Sequence, residues 1–119
     1  MFLIISTTKR YDFKLGISNN GDLHLFDFET KNQSSDLLPA INGFLTNNKI
    51  KLTDLEGILV NIGPGSYTGI RVGVTIANTL AWSLNIPVLG YSDDGFKKVL
   101  SKLKPGQNFS GSVLPLYKK

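Results

Sequence analysis

The sequence predicts an α/β domain with a mixed sheet of about five strands, an antiparallel meander followed by parallel strands, and helices on its faces. Three observations predict it. An alternating run carrying Phe13, Leu15 and Ile17 ends at Asn19-Asn20-Gly21-Asp22, whose Asn-Gly pair signals a tight hairpin. Two later segments place their apolar residues at helical spacing. Short apolar runs at Gly57 to Ile62 and Pro87 to Gly90 alternate with those segments, which is the order of a parallel β-α-β unit.

Taken in order, Phe2 to Ser6 reads as a first strand and Tyr11 to Ser18 as a second. Past the hairpin signal, Leu23, Leu25 and Asp27 alternate with His24, Phe26 and Phe28 in a third strand. Ser34 and Ser35 can cap a helix to about Asn48, with Leu37, Leu38, Ile41, Phe44 and Leu45 as its apolar stripe. Pro39 is tolerable there only near the first turn. A buried strand at Gly57 to Ile62 leads to a helix from about Thr68 to Asn85, then to the short strand at Pro87. Ser92 is placed to cap a last helix carrying Phe96, Val99, Leu100 and Leu103, ended by Lys104-Pro105-Gly106, with a final strand at Ser112 to Tyr117.

Gly63-Pro64-Gly65-Ser66-Tyr67-Thr68-Gly69-Ile70-Arg71-Val72-Gly73 joins the Gly57 strand to its helix and is the most distinctive stretch. Gly63 and Gly65 admit backbone angles closed to other residues, Pro64 fixes its own, and Ser66 or Thr68 can cap the helix. The amides of such a turn face a positive helix end, so Gly63, Gly65, Ser66, Tyr67, Thr68 and Gly69 are candidates for holding a phosphate or carboxylate. The plainer reading is a strand-to-helix turn that binds nothing. Neither familiar phosphate loop fits. Gly63, Gly65 and Gly69 leave one residue too many for G-x-G-x-x-G, and Gly69 is followed by Ile70 rather than lysine.

The segment resembles the signature of the bacterial TsaB (YeaZ) family, a tRNA threonylcarbamoyladenosine biosynthesis subunit often mislabelled a glycoprotease. Leu52-Thr53-Asp54-Leu55-Glu56-Gly57-Ile58 is similar to that family's run into the strand, and Ser34 with Leu37-Leu38-Pro39 to the start of its first helix. The resemblance covers the whole chain and about the first half of the family pattern. It implies a single TsaB-like N-terminal lobe over residues 1–119, without the second lobe, in the actin, hexokinase and heat-shock ATPase (RNase H-like) fold.

Composition sets the remaining bounds. A chain of 119 residues is long enough for one core but short for a two-lobed enzyme, and no linker is expected. No apolar run approaches the ~20 residues of a membrane span, and Met-Phe-Leu-Ile-Ile lacks a basic leader, so a soluble cytoplasmic protein is expected. With no cysteine there is no disulfide and no thiolate. The net charge of +4 is concentrated late: the last twenty-five residues carry six lysines and no acid. Arg10, Lys97, Lys98, Lys102 and Lys104 therefore mark an RNA-binding alternative, although only Phe109 and Tyr117 lie near the late lysines for stacking, which favours a solvated basic face.

Catalysis has little to rest on. The resemblance aligns Ile5-Ser6-Thr7-Thr8 with an Ile-Asp-Thr pattern, which puts Ser6 where the fold's ATPases keep an acid; a hydroxyl cannot replace it as a magnesium-ordering base. Gln33 stands where the family often has histidine. His24 is the one imidazole, no motif ties it to Ser66 or Ser110, and the adjacent Asp93 and Asp94 suit a helix first turn. No catalytic residue and no metal ligand is therefore expected. The resemblance implies no cofactor on this chain alone, with ATP and magnesium entering only in a complex.

Gly69, Gly73, Ala77 and Ala81 recur every four residues and make a stripe over which another backbone can approach closely. The stripe fits either the protein's own sheet or a partner, and its neighbours, Ile70, Val74 and Trp82 on one side and Val72, Ile76 and Leu80 on the other, give the helix more than one apolar face. The resemblance implies that this helix and the Leu37 helix pair with a second copy or with a catalytic TsaD-like subunit. A TsaE-like ATPase is a further partner, tRNA contact is indirect, and no membrane is involved. Leu38, Ile41, Asn42, Leu45, Arg71, Gly73, Val74, Ala77 and Asn78 are the interface candidates, with Thr75 beside them. Arg71 can pair with a partner carboxylate, or with Asp54 or Glu56 of its own chain. The expected role is a non-catalytic scaffold; a homodimeric structural domain and a minimal nucleotide-binding lobe are the alternatives.

Overall fold

The computed structural model describes residues 1–19 and 22–92. The expected turn at Asn20-Gly21 and everything from Asp93 onward, including the last helix, the last strand and the late lysines, lie outside the described residues.

Five strands form one sheet: β1 (Phe2–Ser6), β2 (Asp12–Asn19), β3 (Asp22–Glu29), β4 (Gly57–Asn61) and β5 (Val88–Tyr91), in the spatial order β3-β2-β1-β4-β5. β2 pairs antiparallel with β1 and β3, while β4 runs parallel to β1 and β5. The mixed sheet expected from the sequence is the one observed.

Two helices, α1 (Gln33–Asn47) and α2 (Tyr67–Leu84), connect these strands. Both pack on the same sheet face, α1 across β2 and α2 across β4 and β1. Alternation along each strand explains the core: Leu3, Ile5, Phe13, Leu15, Ile17, Ile58 and Val60 point to the helices, while Ile4, Leu59 and Tyr91 form a second buried group on the opposite face. Phe13 stacks on Phe28 with ring centres 5.2 Å apart, and Phe44 of α1 packs against both Phe26 and Phe28.

α1 starts earlier than expected. Asn32 is the cap, its Oδ1 accepting from the Ser35 N–H, and asparagine is as good a cap as serine. Pro39 consequently lies beyond the first turn, where it deprives the Ser35 carbonyl of its helical donor; both residues are exposed, so water can serve that carbonyl. Each helix ends against a left-handed residue, Lys49 at φ 57° after α1 and Asn85 at φ 56° after α2. The Ile50 N–H returns to the Leu45 carbonyl and the Ile86 N–H to that of Ala81, which satisfies carbonyls the helices leave open.

Candidate functional site

β1 ends beneath the Gly63 to Gly73 segment, and the backbone just beyond it supplies the floor. Asn61, buried at the end of β4, donates from Nδ2 to Ser6 Oγ at 3.2 Å and accepts from the Gly63 N–H at 2.9 Å. Gly63 takes φ 107°, which explains glycine at that turn. The Ser66 N–H donates to the Thr8 carbonyl at 2.7 Å, and Ser66 Oγ caps α2 by accepting from the Gly69 N–H. Of the two residues considered for that cap, Ser66 serves.

The stripe of small residues faces the protein's own β1. Thr7, fully buried, donates from Oγ1 to the Gly69 carbonyl at 2.6 Å. A Cβ on Gly69 would lie 2.3 Å from the Thr7 carbonyl oxygen, and one on Gly73 2.2 Å from Thr7 Oγ1. The spacing of Gly69, Gly73 and Ala77 thus reports how closely α2 approaches the end of β1.

Of the anion candidates, Ser66, Tyr67, Thr68 and Gly69 line a cavity of about 410 Å³; Gly63 and Gly65 do not. Its other wall is the start of α1, Asn32 to Ser34, with Arg10 and Lys31 at the margin. Both helices therefore present their N-terminal ends to one space beside two cationic side chains. Gln33, nearly buried, spans from α1 to the β1–β2 loop, its Nε2 donating to the carbonyls of Lys9 and Asp12. That side chain fixes the loop that carries Arg10.

The interface candidates divide. Ile41, Leu45, Val74, Gly73 and Ala77 are buried within this chain, against its own sheet or between its own helices, and present no surface to a partner. Bulky residues at Gly73 or Ala77 would disrupt the domain itself. Leu38 is 49% exposed, Asn42, Arg71 and Thr75 are exposed, and Asn78 is half-buried. Arg71 lies along α2, donating to the Tyr67 hydroxyl at 3.3 Å with its guanidinium 5.7 Å from that ring's centre. It does not bridge to Asp54, which accepts from the Lys51 N–H, or to Glu56, which pairs with the N-terminal amine.

Trp82 is the residue the sequence reading misplaced. Expected on an apolar stripe with Ile70 and Val74, it is 85% exposed. The signal was available in the polar phase of α2: Arg71, Thr75, Asn78 and Trp82 fall at steps of four, three and four on the outer face. Between the helices a shallow, mainly apolar groove of about 530 Å³ runs past Tyr67, Arg71, Thr75 and Ile76.

Among the described residues no three of His, Cys, Asp and Glu gather as metal ligands, and His24 lies exposed on the edge strand β3. No helix among them is long and apolar enough to cross a membrane.

The model of the family described as "TsaD: tRNA N6-adenosine threonylcarbamoyltransferase" matches residues 28–93, more than half of the chain and the stretch holding α1, the glycine turn and α2. The chain belongs to the TsaD/TsaB family. It is 40% identical over 87 residues to the tRNA threonylcarbamoyladenosine biosynthesis protein TsaB of Bacillus subtilis, a match covering 73% of this chain and 36% of that protein. With TsaB of Escherichia coli it shares 33% over 75 residues, 62% of this chain and 32% of that one. YeaZ from Pseudomonas aeruginosa has the same fold, with a TM-score of 0.70 and 22% identity over 82% of this chain and 49% of that one. Thermus thermophilus RuvC shares the fold more distantly, at a TM-score of 0.54 and 14% identity, over 84% of this chain and 68% of that one. The chain spans about a third of the length of the curated TsaB proteins it matches. These likenesses agree with the TsaB (YeaZ) resemblance and the RNase H-like fold expected from the sequence.

Proposed function

We propose that this chain acts in threonylcarbamoyladenosine modification of tRNA as a non-catalytic subunit that binds and supports a TsaD-like enzyme. The observation that carries the reading is the chemistry at the end of β1. There Ser6 is hydrogen-bonded to Asn61, where an enzyme of this fold needs a carboxylate to order magnesium and water. The contribution left to the chain is contact. The outer face of α1 and α2, with Leu38, Asn42, Arg71, Thr75 and Trp82, is the surface that fits the partner. An anchoring tryptophan and an arginine among small polar residues is a common composition for such a surface. A TsaE-like ATPase joins this assembly through the cavity side, and tRNA contacts the TsaD-like subunit rather than this chain. ATP and magnesium belong to the assembled complex, in the cytoplasm.

The test is light scattering after gel filtration of the chain mixed with the TsaD-like protein of its organism. A one-to-one complex weakened at least tenfold by Trp82→Ala combined with Arg71→Glu is the expected result. A folded chain that forms no complex, or one indifferent to both substitutions, would overturn it.

One observation favours a second reading, a minimal nucleotide-binding lobe. The cavity between the starts of α1 and α2 carries Arg10 and Lys31 at its margin and suits a phosphate group. Calorimetric binding of ATP by the isolated chain, lost in Arg10→Ala, would establish it; no heat of binding would dismiss it.

A further inference from the structure

The cavity and the groove beside it adjoin, because Ser34, Tyr67, Thr68 and Val72 line both. Together they make one trough that starts between the N-terminal ends of α1 and α2 and runs on along α2. Its two ends differ in chemistry. Arg10 and Lys31 stand at the cavity end, and among the described residues neither is paired with a carboxylate. Asp12, Glu29 and Asp36 line a separate hollow that shares only Lys31 with the cavity, and no acid lines the cavity itself. At the groove end the lining is mainly apolar, with Val72 and Ile76 beside Thr75.

We infer that this trough receives an extended peptide segment of a partner protein, with a carboxylate held at Arg10 and Lys31 and apolar side chains laid along Val72 and Ile76. A carboxylate between those two cations gains charge-assisted hydrogen bonds, and either a chain end or an acidic side chain supplies one. From Ser66 to Ile76 the trough follows α2 for about 15 Å, which about five residues of extended chain span. Alternate side chains of such a segment point the same way, so about half of them meet the groove while the rest of the segment stays in water. That suits a shallow groove, in which a lipid chain would leave much of its apolar surface wet. A nucleotide matches the groove end less well, since no Asn, Gln, Asp or Glu lines it to meet the edge of a base. Arg71 and Thr75 border both the groove and the outer face proposed for the TsaD-like enzyme, but Leu38 and Trp82 lie outside the trough. The isolated chain therefore suffices to test the inference, whatever becomes of the TsaD-like contact.

The test is an NMR titration of the isotope-labelled chain with N-acetyl-Leu-Ala-Leu-Ala-Leu as the free acid and as its C-terminal amide. At least tenfold tighter binding of the acid is expected, with amide shifts both at Ser66 to Gly69 and at Val72 to Ile76. Arg10→Ala combined with Lys31→Ala lowers the acid's affinity to that of the amide; both side chains are exposed, so the fold is kept. Ile76→Asn weakens acid and amide alike, by at least threefold. An amidated peptide ending in aspartate separates the two sources of the carboxylate: binding equal to the acid's supports a side chain, and weaker binding supports a chain end. Equal affinity of acid and amide, no binding at millimolar peptide, shifts confined to one end of the trough, decanoate bound as tightly as the peptide, or ATP bound where the peptide is not, would each overturn the inference. Should Ile76→Asn fail to fold, the comparison of acid and amide on the unsubstituted chain still decides.

Discussion

Thr7 and Gly73 meet so closely that a single added carbon on the glycine would lie 2.2 Å from Thr7 Oγ1. The contact holds the end of β1 against the middle of α2 and sets the depth at which the helix lies. Gly73→Ala is therefore expected to destabilise the domain by about 1–3 kcal/mol, through overpacking that a buried, hydrogen-bonded threonine cannot relieve. Thr7→Ala alone loses its bond to the Gly69 carbonyl, about 0.5–1.5 kcal/mol. The double variant should be more stable than the sum of the two changes predicts, since removing Oγ1 vacates the space the new methyl needs. Urea titrations of the four proteins measure this coupling; strict additivity would show that the helix is held elsewhere.

At the start of α1, Gln33 joins two carbonyls of the β1–β2 loop, those of Lys9 and Asp12, to the helix. Gln33→Leu keeps a side chain of similar length but leaves both carbonyls without their donor. A cost of about 1–3 kcal/mol is expected, together with faster amide exchange across the loop. Gln33→Glu also removes the donating amide and should match it. If either variant were neutral in denaturant titration, the loop would be held by the backbone alone.

How much of this was legible in the sequence depends on what each residue reports. Strand alternation is local, so Phe13, Leu15 and Ile17 and the apolar β4 run identified their strands and their buried face directly. Helix phase is less local. The partner surface implied by the resemblance put Ile41, Leu45 and Val74 on the outside with Leu38, although a helix buries its apolar stripe first against its own sheet. The glycines of α2 signalled a close approach, but spacing cannot say whether the approaching backbone is the protein's own. Only the position of Thr7 shows that it is. Ser34 and Ser35 masked Asn32 as the cap because all three residue types serve equally well. The outer position of β3 among the described strands depends on strand order, which no residue of β3 encodes.

Asn61 anchors the glycine turn from below, nearly inaccessible to solvent, with its carbonyl oxygen on the Gly63 N–H and its amide on Ser6 Oγ. Replacing it by alanine leaves a buried donor at Gly63 without its partner and opens space beneath the turn. A loss of about 1–3 kcal/mol is expected. Asn61→Ala should also weaken any ligand of the cavity, because Ser66 to Gly69 follow directly from the turn; Ser6→Ala should cost less, since it removes only one end of a surface-reaching bond. The two variants compared by thermal melting separate these roles.

Trp82 offers the opposite case, a large aromatic side chain 85% exposed on the outer face of a helix whose inner face is closely packed. Substitution to alanine removes little buried area, so the stability of the chain should change by no more than about 0.5 kcal/mol. Exposed tryptophans on an ordered helix are costly to keep unless something covers them, and the proposed function assigns that cover to a partner surface. The prediction pairs two measurements. Denaturant midpoints of Trp82→Ala and the unsubstituted chain should coincide, while affinity for the TsaD-like protein falls at least tenfold. Equal loss of stability and affinity would mean that Trp82 supports the fold of α2; loss of neither would move the contact toward Leu38 and α1.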